Sequence, residues 1–275
     1  MSSSFRENFL SLIETSFKII QKYPGDMKPS YINLSTMTMV CDLTKPVDIL
    51  LFSDNFKSPP NTECTIKRPQ KTTEFNLTKR GKKRKTFFNQ ASIHFTTHTT
   101  KCIKVFSNGR LHITGVTSLH EAQTVSSFVC DILNETLGAI SGTEKVQAKN
   151  LEICMINTNF ALNHGIDILK LKQKIIDNNI VCHYTPDTYP GLKIKYSHDN
   201  GQRTSVFIFS SGQIVITGAK SLEHISYVYT NLFKIIIDNY EEIFNPYITV
   251  KKSKAKTCTT LCNGYDVNLF HSTLV

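Results

Sequence analysis

Apolar and polar positions run through the same order twice along this chain. Residues 104 to 119, Lys104-Val-Phe106-Ser-Asn-Gly109-Arg-Leu-His-Ile-Thr114-Gly115-Val-Thr-Ser118-Leu119, align without a gap on residues 207 to 222, Phe207-Ile-Phe209-Ser-Ser-Gly212-Gln-Ile-Val-Ile-Thr217-Gly218-Ala-Lys-Ser221-Leu222, and half of the positions are identical. Identity at that level marks a duplicated unit of about 100 residues. In each copy the alternation predicts a strand, a tight turn and a second strand. Asn108-Gly109 predicts a two-residue hairpin turn, because both residues accept positive φ. A helical period follows. Ser118 with Glu121 predicts a capping box, and Leu119, Ala122, Val125, Val129, Ile132 and Leu133 share one helical face. Ser221 is the matching N-cap in the second copy, ahead of Leu222, Ile225, Val228, Leu232, Ile235 and Ile236.

Upstream of each hairpin lies another β-like run, Tyr31 to Val40 in the first copy and Leu151 to Asn157 in the second. A short helix is predicted after each, near Pro46 to Phe52 and Ile166 to Ile175, and then an extended stretch, Ala91 to Thr96 or Leu192 to Tyr196. Phe5, Phe9, Leu12, Ile13, Phe17 and Ile20 have helical spacing and Tyr23-Pro24-Gly25 ends the run, so residues 1–29 read as an amphipathic helix packed on the body or binding a partner. Strands followed by a long helix predict an α+β fold, an antiparallel sheet with helices on one face. The other face must then meet something else.

That face is legible from strand parity. Val206 and Ile208 point to one side, Phe207 and Phe209 to the other, and beyond the turn Ile214 and Ile216 return to the helix side while Gln213, Val215 and Thr217 oppose them. Phe207, Phe209 and Val215 are too apolar for a face left in water, which marks either a binding surface or a second core layer. The equivalent positions of the first copy are Lys104, Phe106, Arg110, His112 and Thr114. Cations mixed with aromatic rings suit a nucleic acid, where cations meet phosphates and apolar side chains meet base steps.

Charge sharpens this reading. The formal charge of the 275 residues is +10, and residues 54 to 86 hold ten Lys or Arg against three acids. Lys251, Lys252, Lys254 and Lys256 form a second cluster. No basic amphipathic helix accompanies either run, so a nucleic acid is favoured over a membrane, with a solvated linker or a localisation signal as the plainer account of the first segment. No apolar run reaches the roughly 20 residues of a bilayer span and no leader pattern opens the chain, so an intracellular protein is expected. Eight scattered cysteines predict reduced thiols. Cys258 and Cys262 with His271 lack a fourth ligand for tetrahedral zinc, so no metal is expected. No phosphate loop, zinc-protease helix, calcium loop or nucleophile elbow occurs, and His94 and His98 read as strand residues rather than bases; no enzyme and no cofactor are expected.

The second copy resembles the TATA-binding protein (TBP) family. Tyr184-Thr-Pro186-Asp-Thr-Tyr189-Pro190-Gly191-Leu192 and then Phe207-Ile-Phe209-Ser-Ser-Gly212-Gln-Ile-Val-Ile-Thr217-Gly218-Ala219-Lys220 resemble the family's Y-x-P-E-L-F-P-G-L and L-I-F-x-S-G-K-x-V-x-T-G-A-K signatures, in the same order. Phe106 to Gly115 and Ser35-Thr-Met-Thr38 extend the likeness to the first copy, so that it covers roughly residues 30 to 245. The resemblance implies a TBP-like saddle: two tandem pseudo-symmetric repeats, 30–145 with a basic insertion at 54–86 and 146–247, forming a curved antiparallel sheet with helices on its convex face, followed by a basic, Cys-containing tail at 248–275. The degree of divergence and the Lys-, Ile- and Asn-rich composition point to a large DNA virus, and so to action at a virus factory, in a host nucleus or from within the virion.

The family is itself the standing example of minor-groove binding by apolar wedges that enter base steps and bend the duplex. Carried over by position, the wedges are Phe106 and Phe209, with Phe88 or its neighbour Phe87 and Tyr189 as companions. Thr114 and Thr217 match the threonines over the central base pairs, Phe207, Val215, Lys104 and His112 occupy groove-facing positions, and Ile32, Leu34, Ile153 and Met155 complete the floor. Lys79, Arg80, Lys82, Lys83, Arg84 and Lys85 are candidates for phosphate contacts. The resemblance implies A·T-rich double-stranded DNA as ligand, and a transcription factor IIB-like factor, met through Asp187, and RNA polymerase as partners. Departures are specific: Tyr189 stands where the family has phenylalanine, Ile32 and Ile153 replace its two central asparagines with Asn33 and Asn157 nearby, and Lys104 and His112 replace apolar groups. These departures leave open a protein-interaction scaffold of the same fold that no longer bends DNA.

Overall fold

A computed structural model describes residues 3–25, 27–57, 59–67, 72–75, 90–96, 99–141 and 145–250. In chain order the elements are α1 (Ser3–Lys22), β1 (Asn33–Leu43), α2 (Ile49–Asn55), β2 (Thr62–Lys67), β3 (Thr72–Phe75), β4 (Gln90–Thr96), β5 (Thr100–Phe106), β6 (Arg110–Val116) and α3 (Leu119–Ser141). The second half carries β7 (Ala148–Ala161), β8 (Gly165–Ile166), α4 (Ile168–Asp177), β9 (Val181–Thr185), β10 (Tyr189–Ser197), β11 (Arg203–Ile208), β12 (Gln213–Ala219), α5 (Leu222–Asp238), α6 (Tyr240–Ile243) and β13 (Phe244–Asn245). The chain divides into two compact units, residues 36–154 (the repeat-1 unit) and residues 1–35 with 155–275 (the repeat-2 unit). Both are α+β, an antiparallel sheet with helices packed on it.

In the repeat-1 unit the strand order is β3-β2-β4-β5-β6-β1. Every second side chain, Met37, Met39, Ile93, Ile103, Val105, Leu111 and Ile113, is buried toward α2 and α3. The hairpin β5–β6 differs from the expected two-residue turn. Gly109 alone takes positive φ (84°), its N–H bonds the Phe106 carbonyl at 2.9 Å, and Ser107 to Gly109 form a three-residue loop. A turn closed by one glycine in the left-handed region matches the strand twist as well as a two-residue turn does. Ser118 caps α3, accepting from the Glu121 N–H at 3.0 Å. Glu121 does not close the predicted box on Ser118: its carboxylate takes the Thr117 N–H at 2.7 Å and the Lys101 ammonium at 2.5 Å. Lys101 is only 2% exposed and also donates to the Gly115 carbonyl at 2.9 Å, so the start of α3 is tied to β5 and β6 by a satisfied buried cation.

In the repeat-2 unit the order is β7-β12-β11-β10-β9, with α4 and α5 on one face. The predicted stripe of α5 is buried throughout, joined by Tyr229 and Phe233. Each fully buried side chain of this kind stabilises by roughly 1.5–3 kcal/mol, so α5 is the chief anchor of the unit. Asp167 caps α4 and Ser221 caps α5. Helix α1 packs on α5, burying Phe9, Leu12, Ile13 and Ile20, and the Ser16 and Tyr229 hydroxyls meet at 2.8 Å beneath it.

The two units share one plan: β1, α2, β2, β4, β5, β6 and α3 correspond to β7, α4, β9, β10, β11, β12 and α5. Strand β2 therefore belongs to the repeat, although the charge run placed it inside an insertion spanning 54–86. Three residues connect β9 to β10, whereas 22 connect β2 to β4, so the added segment is residues 68–89.

Candidate nucleic-acid interface

On the repeat-2 sheet the face away from α5 is built from cross-strand rows. Lys193 lies opposite Phe207, Phe207 opposite Val215 and Val215 opposite Asn159, with His183 beyond Lys193. A second row holds Lys195, Ser205 and Thr217. At the turn end Tyr189, 43% exposed, leans on Phe207 and Phe209 with ring centroids 5.5 and 5.9 Å apart, and the Lys193 ammonium stands 5.6 Å from the Phe207 ring. Gly191 makes this cluster possible: a Cβ there would lie 2.8 Å from Tyr189 Cε1 and 3.1 Å from Phe209 Cε1. Polar groups fill the middle of the face. The Thr217 hydroxyl donates to Asn157 Oδ1 at 2.6 Å, and the Asn33 amide donates to Asn159 Oδ1 at 3.1 Å.

The expected floor is corrected here. Ile32 and Leu34 are 1% and 6% exposed and point into the core, with the Ile32 N–H on the Ser16 hydroxyl. Asn33 reaches the open face to meet Asn159, and strand alternation sends its two neighbours the other way. Met155 does share a side of β7 with Asn157 and Asn159, and Ile153 is half-buried at the alternate position before it. Asn33, Asn157 and Asn159 are face residues; position matching placed the first two only nearby and passed over Asn159, and the alternation Met155-Ile-Asn157-Thr-Asn159 was the signal for the two on β7.

The corresponding face of the repeat-1 unit is more polar. Lys104 lies between Ser92 and His112, and His112 faces Val40. The next row is His94, Cys102, Thr114 and Thr38, with the Thr114 hydroxyl on the Cys102 carbonyl at 3.2 Å. Phe106 meets the His112 ring edge-on at 5.0 Å, and Arg110 faces Asp42. Burial, then the charges of Arg110 and Lys104, hold the His112 pKa below the ordinary histidine value. Phe88 and its neighbour Phe87, and the basic run Lys79, Arg80, Lys82, Lys83, Arg84 and Lys85, lie outside the described residues, as do Cys258, Cys262 and His271. Asp187 is exposed in the β9–β10 turn, which Thr188 closes on the Thr185 carbonyl at 3.0 Å. Among the described residues no three His, Cys, Asp or Glu side chains gather as metal ligands, and no helix is long and apolar enough to cross a membrane.

Residues 150–239 match the family described as transcription factor TFIID (or TATA-binding protein, TBP). The chain is similar to a TATA-box-binding protein-like protein of Acanthamoeba polyphaga mimivirus, with 29% identity over 77% of this chain and 66% of that protein. The TATA-box-binding protein of Aeropyrum pernix is 33% identical over 36% of this chain and 45% of its own length. TATA-box-binding protein 2 of Entamoeba histolytica is 24% identical over 50% of this chain, and the match spans 59% of that protein. These curated relatives are thus matched over between about half and two thirds of their own length. The mimivirus match supports the viral origin expected from divergence and composition. The chain thus carries a TATA-binding protein family match over residues 150–239, within its second repeat, and is similar to the mimivirus protein over most of its length.

Proposed function

We propose that the chain is a DNA-binding transcription-initiation factor that lays the helix-free faces of its sheets in the minor groove of A·T-rich duplex and bends it. The observation that carries this reading is the repeat-2 face: an exposed Tyr189 paired with a half-buried Phe209 beside the Phe207–Val215 row, with hydrogen-bonded Thr217 and Asn157 at its middle. Aromatic rings at the turn end are wedges that unstack a base step, and a deformable A·T step costs least to open. Phe207 and Val215 favour A·T pairs because a flat apolar floor has no acceptor for the guanine amino group, while Asn157, its Oδ1 held by the Thr217 hydroxyl, offers its amide N–H groups to the adenine N3 and thymine O2 acceptors. In the repeat-1 unit Phe106 takes the wedge role, with Phe88 as its companion, and Thr114 the central one. Lys79, Arg80, Lys82, Lys83, Arg84 and Lys85 add sequence-independent phosphate contacts. Asp187, exposed beside the wedges, fits a contact with a transcription factor IIB-like factor and through it RNA polymerase.

Lys104 and His112 favour a second reading, a scaffold that keeps the fold without bending DNA, because a cation and a polar ring replace apolar groups on the repeat-1 face. A short duplex carrying a fluorophore at each end separates the two. An A·T-rich site is expected to bind more tightly than a G·C-rich one, with the ends drawing together. Phe209→Ala is expected to lose about tenfold or more in affinity, the usual worth of one base-stacking aromatic, and to relax the bend. Equal binding to both duplexes with no change in end distance supports the scaffold.

A further inference from the structure

On the repeat-1 face three nitrogen-bearing side chains crowd together. His112 and Arg110 alternate along β6, Lys104 of β5 stands directly opposite His112, and Phe106 closes on the imidazole edge at 5.0 Å. From β1, Val40 faces His112 and Asp42 faces Arg110, so the one carboxylate in these rows lies beside the guanidinium rather than the imidazole. His94 and Cys102 occupy the neighbouring row, and Glu63 of β2 faces His94. The positions of Lys104 and His112 are held in the repeat-2 unit by Phe207 and Val215, which cannot titrate.

We propose that His112 takes up a proton when the repeat-1 face meets the polyanionic groove of DNA, making binding through this unit pH-dependent. This rests on the DNA-binding reading above. In the free protein burial and the two flanking cations keep the imidazole neutral near pH 7. A row of phosphates laid over Lys104 and Arg110 neutralises that repulsion and supplies the counter-charge that the imidazolium lacks, so the pKa rises on binding. The direction is fixed by linkage. Below the free-state pKa His112 is charged in both states and affinity is constant. Between the free and the bound pKa each bound duplex carries an extra proton, and affinity falls as pH rises. Above the bound pKa it is constant again.

The measurement is titration calorimetry of the full chain with an A·T-rich duplex at fixed salt, in two buffers of different ionisation enthalpy, together with affinity at several values between about pH 6 and 8. Uptake of up to one proton is expected, with affinity dropping by up to about tenfold per pH unit. His112→Gln, which keeps polarity without titration, is expected to flatten that dependence; His112→Lys, a fixed cation, is expected to be flat and as tight near pH 8 as the natural protein is in acid. Duplex binding with no proton uptake overturns the proposal, as does an unchanged pH dependence in His112→Gln, which would assign the proton to His94 or another group. Absence of duplex binding at every pH overturns the DNA-binding reading, and this inference with it.

Discussion

Gly191 carries no side chain, and two aromatic rings occupy the space that a methyl group there would need. Gly191→Ala is expected to push the half-exposed Tyr189 and Phe209 rings apart rather than to disturb the core, since Leu192 and Ile194 keep their places on the opposite side of β10. Duplex affinity is expected to fall by about tenfold, comparable to loss of one stacking ring, with melting temperature nearly unchanged. Natural affinity in this variant would show that the arrangement of the pair is immaterial. Residue-scale legibility was uneven for a related reason. Phe207, Phe209, Val215 and Thr217 were readable from parity because the apolar Val206, Ile208, Ile214 and Ile216 mark the core side on both strands of the hairpin. Ile32 and Leu34 were assigned to the wrong face because β1 has no such local reference; its phase is fixed by the Asn33–Asn159 bond, formed by residues 126 apart.

The Lys101–Glu121 pair decides how α3 begins. Burial raises the Glu121 pKa, but bonds from Lys101 and Thr117 outweigh it and the net shift is downward. The pair's contribution is therefore complete above the pKa of an unfolded glutamate, about 4.3, and is lost as pH falls through the lower folded value. Glu121→Gln is expected to cost about 2–3 kcal/mol near neutral pH, less than the figure for a fully buried pair because Glu121 keeps 30% exposure. Urea unfolding of both proteins at several pH values checks this: the curves converge in acid, and a constant difference down to pH 3 would remove the ion pair from the account. Lys101 was not legible as a core residue, since its burial depends on a partner twenty positions on and a carbonyl from another strand. Strands β2 and β9 were missed for a different reason. Thr62-Glu-Cys-Thr-Ile-Lys67 offers only Cys64 and Ile66 as an apolar signal inside a basic run, and Val181 to Thr185 forms a sheet edge with no fully buried side chain. The long helices α1, α3 and α5 were legible because their buried stripes run for three turns or more.

For the molecule as a whole the instructive fact is the ownership of α1. It precedes repeat 1 in sequence yet packs on α5 of the repeat-2 unit, and beyond its end the Tyr23 hydroxyl donates to His164 Nε2 at 2.6 Å, Nδ1 being given to the Gly165 carbonyl, within a cluster that includes Phe233 and Tyr240. Burial holds the His164 pKa down despite the Gly165 carbonyl. Ser16→Ala leaves the buried Tyr229 hydroxyl without its partner and is expected to cost about 1–3 kcal/mol, read by thermal unfolding of the full chain; a change below about 0.5 kcal/mol would show that Tyr229 is satisfied without it.

That ownership also sets a birth order. Ser16 and Tyr229 are separated by 213 residues, so at about 5–20 residues per second the ribosome delivers the partner of α1 on the order of 10–40 seconds after α1 itself. Throughout that interval Phe9, Leu12, Ile13 and Ile20 have no surface of their own to cover them. A segment made before either repeat is thus among the last to be buried, and a nascent chain halted within repeat 1 presents an apolar helix to whatever binds such helices in the cell.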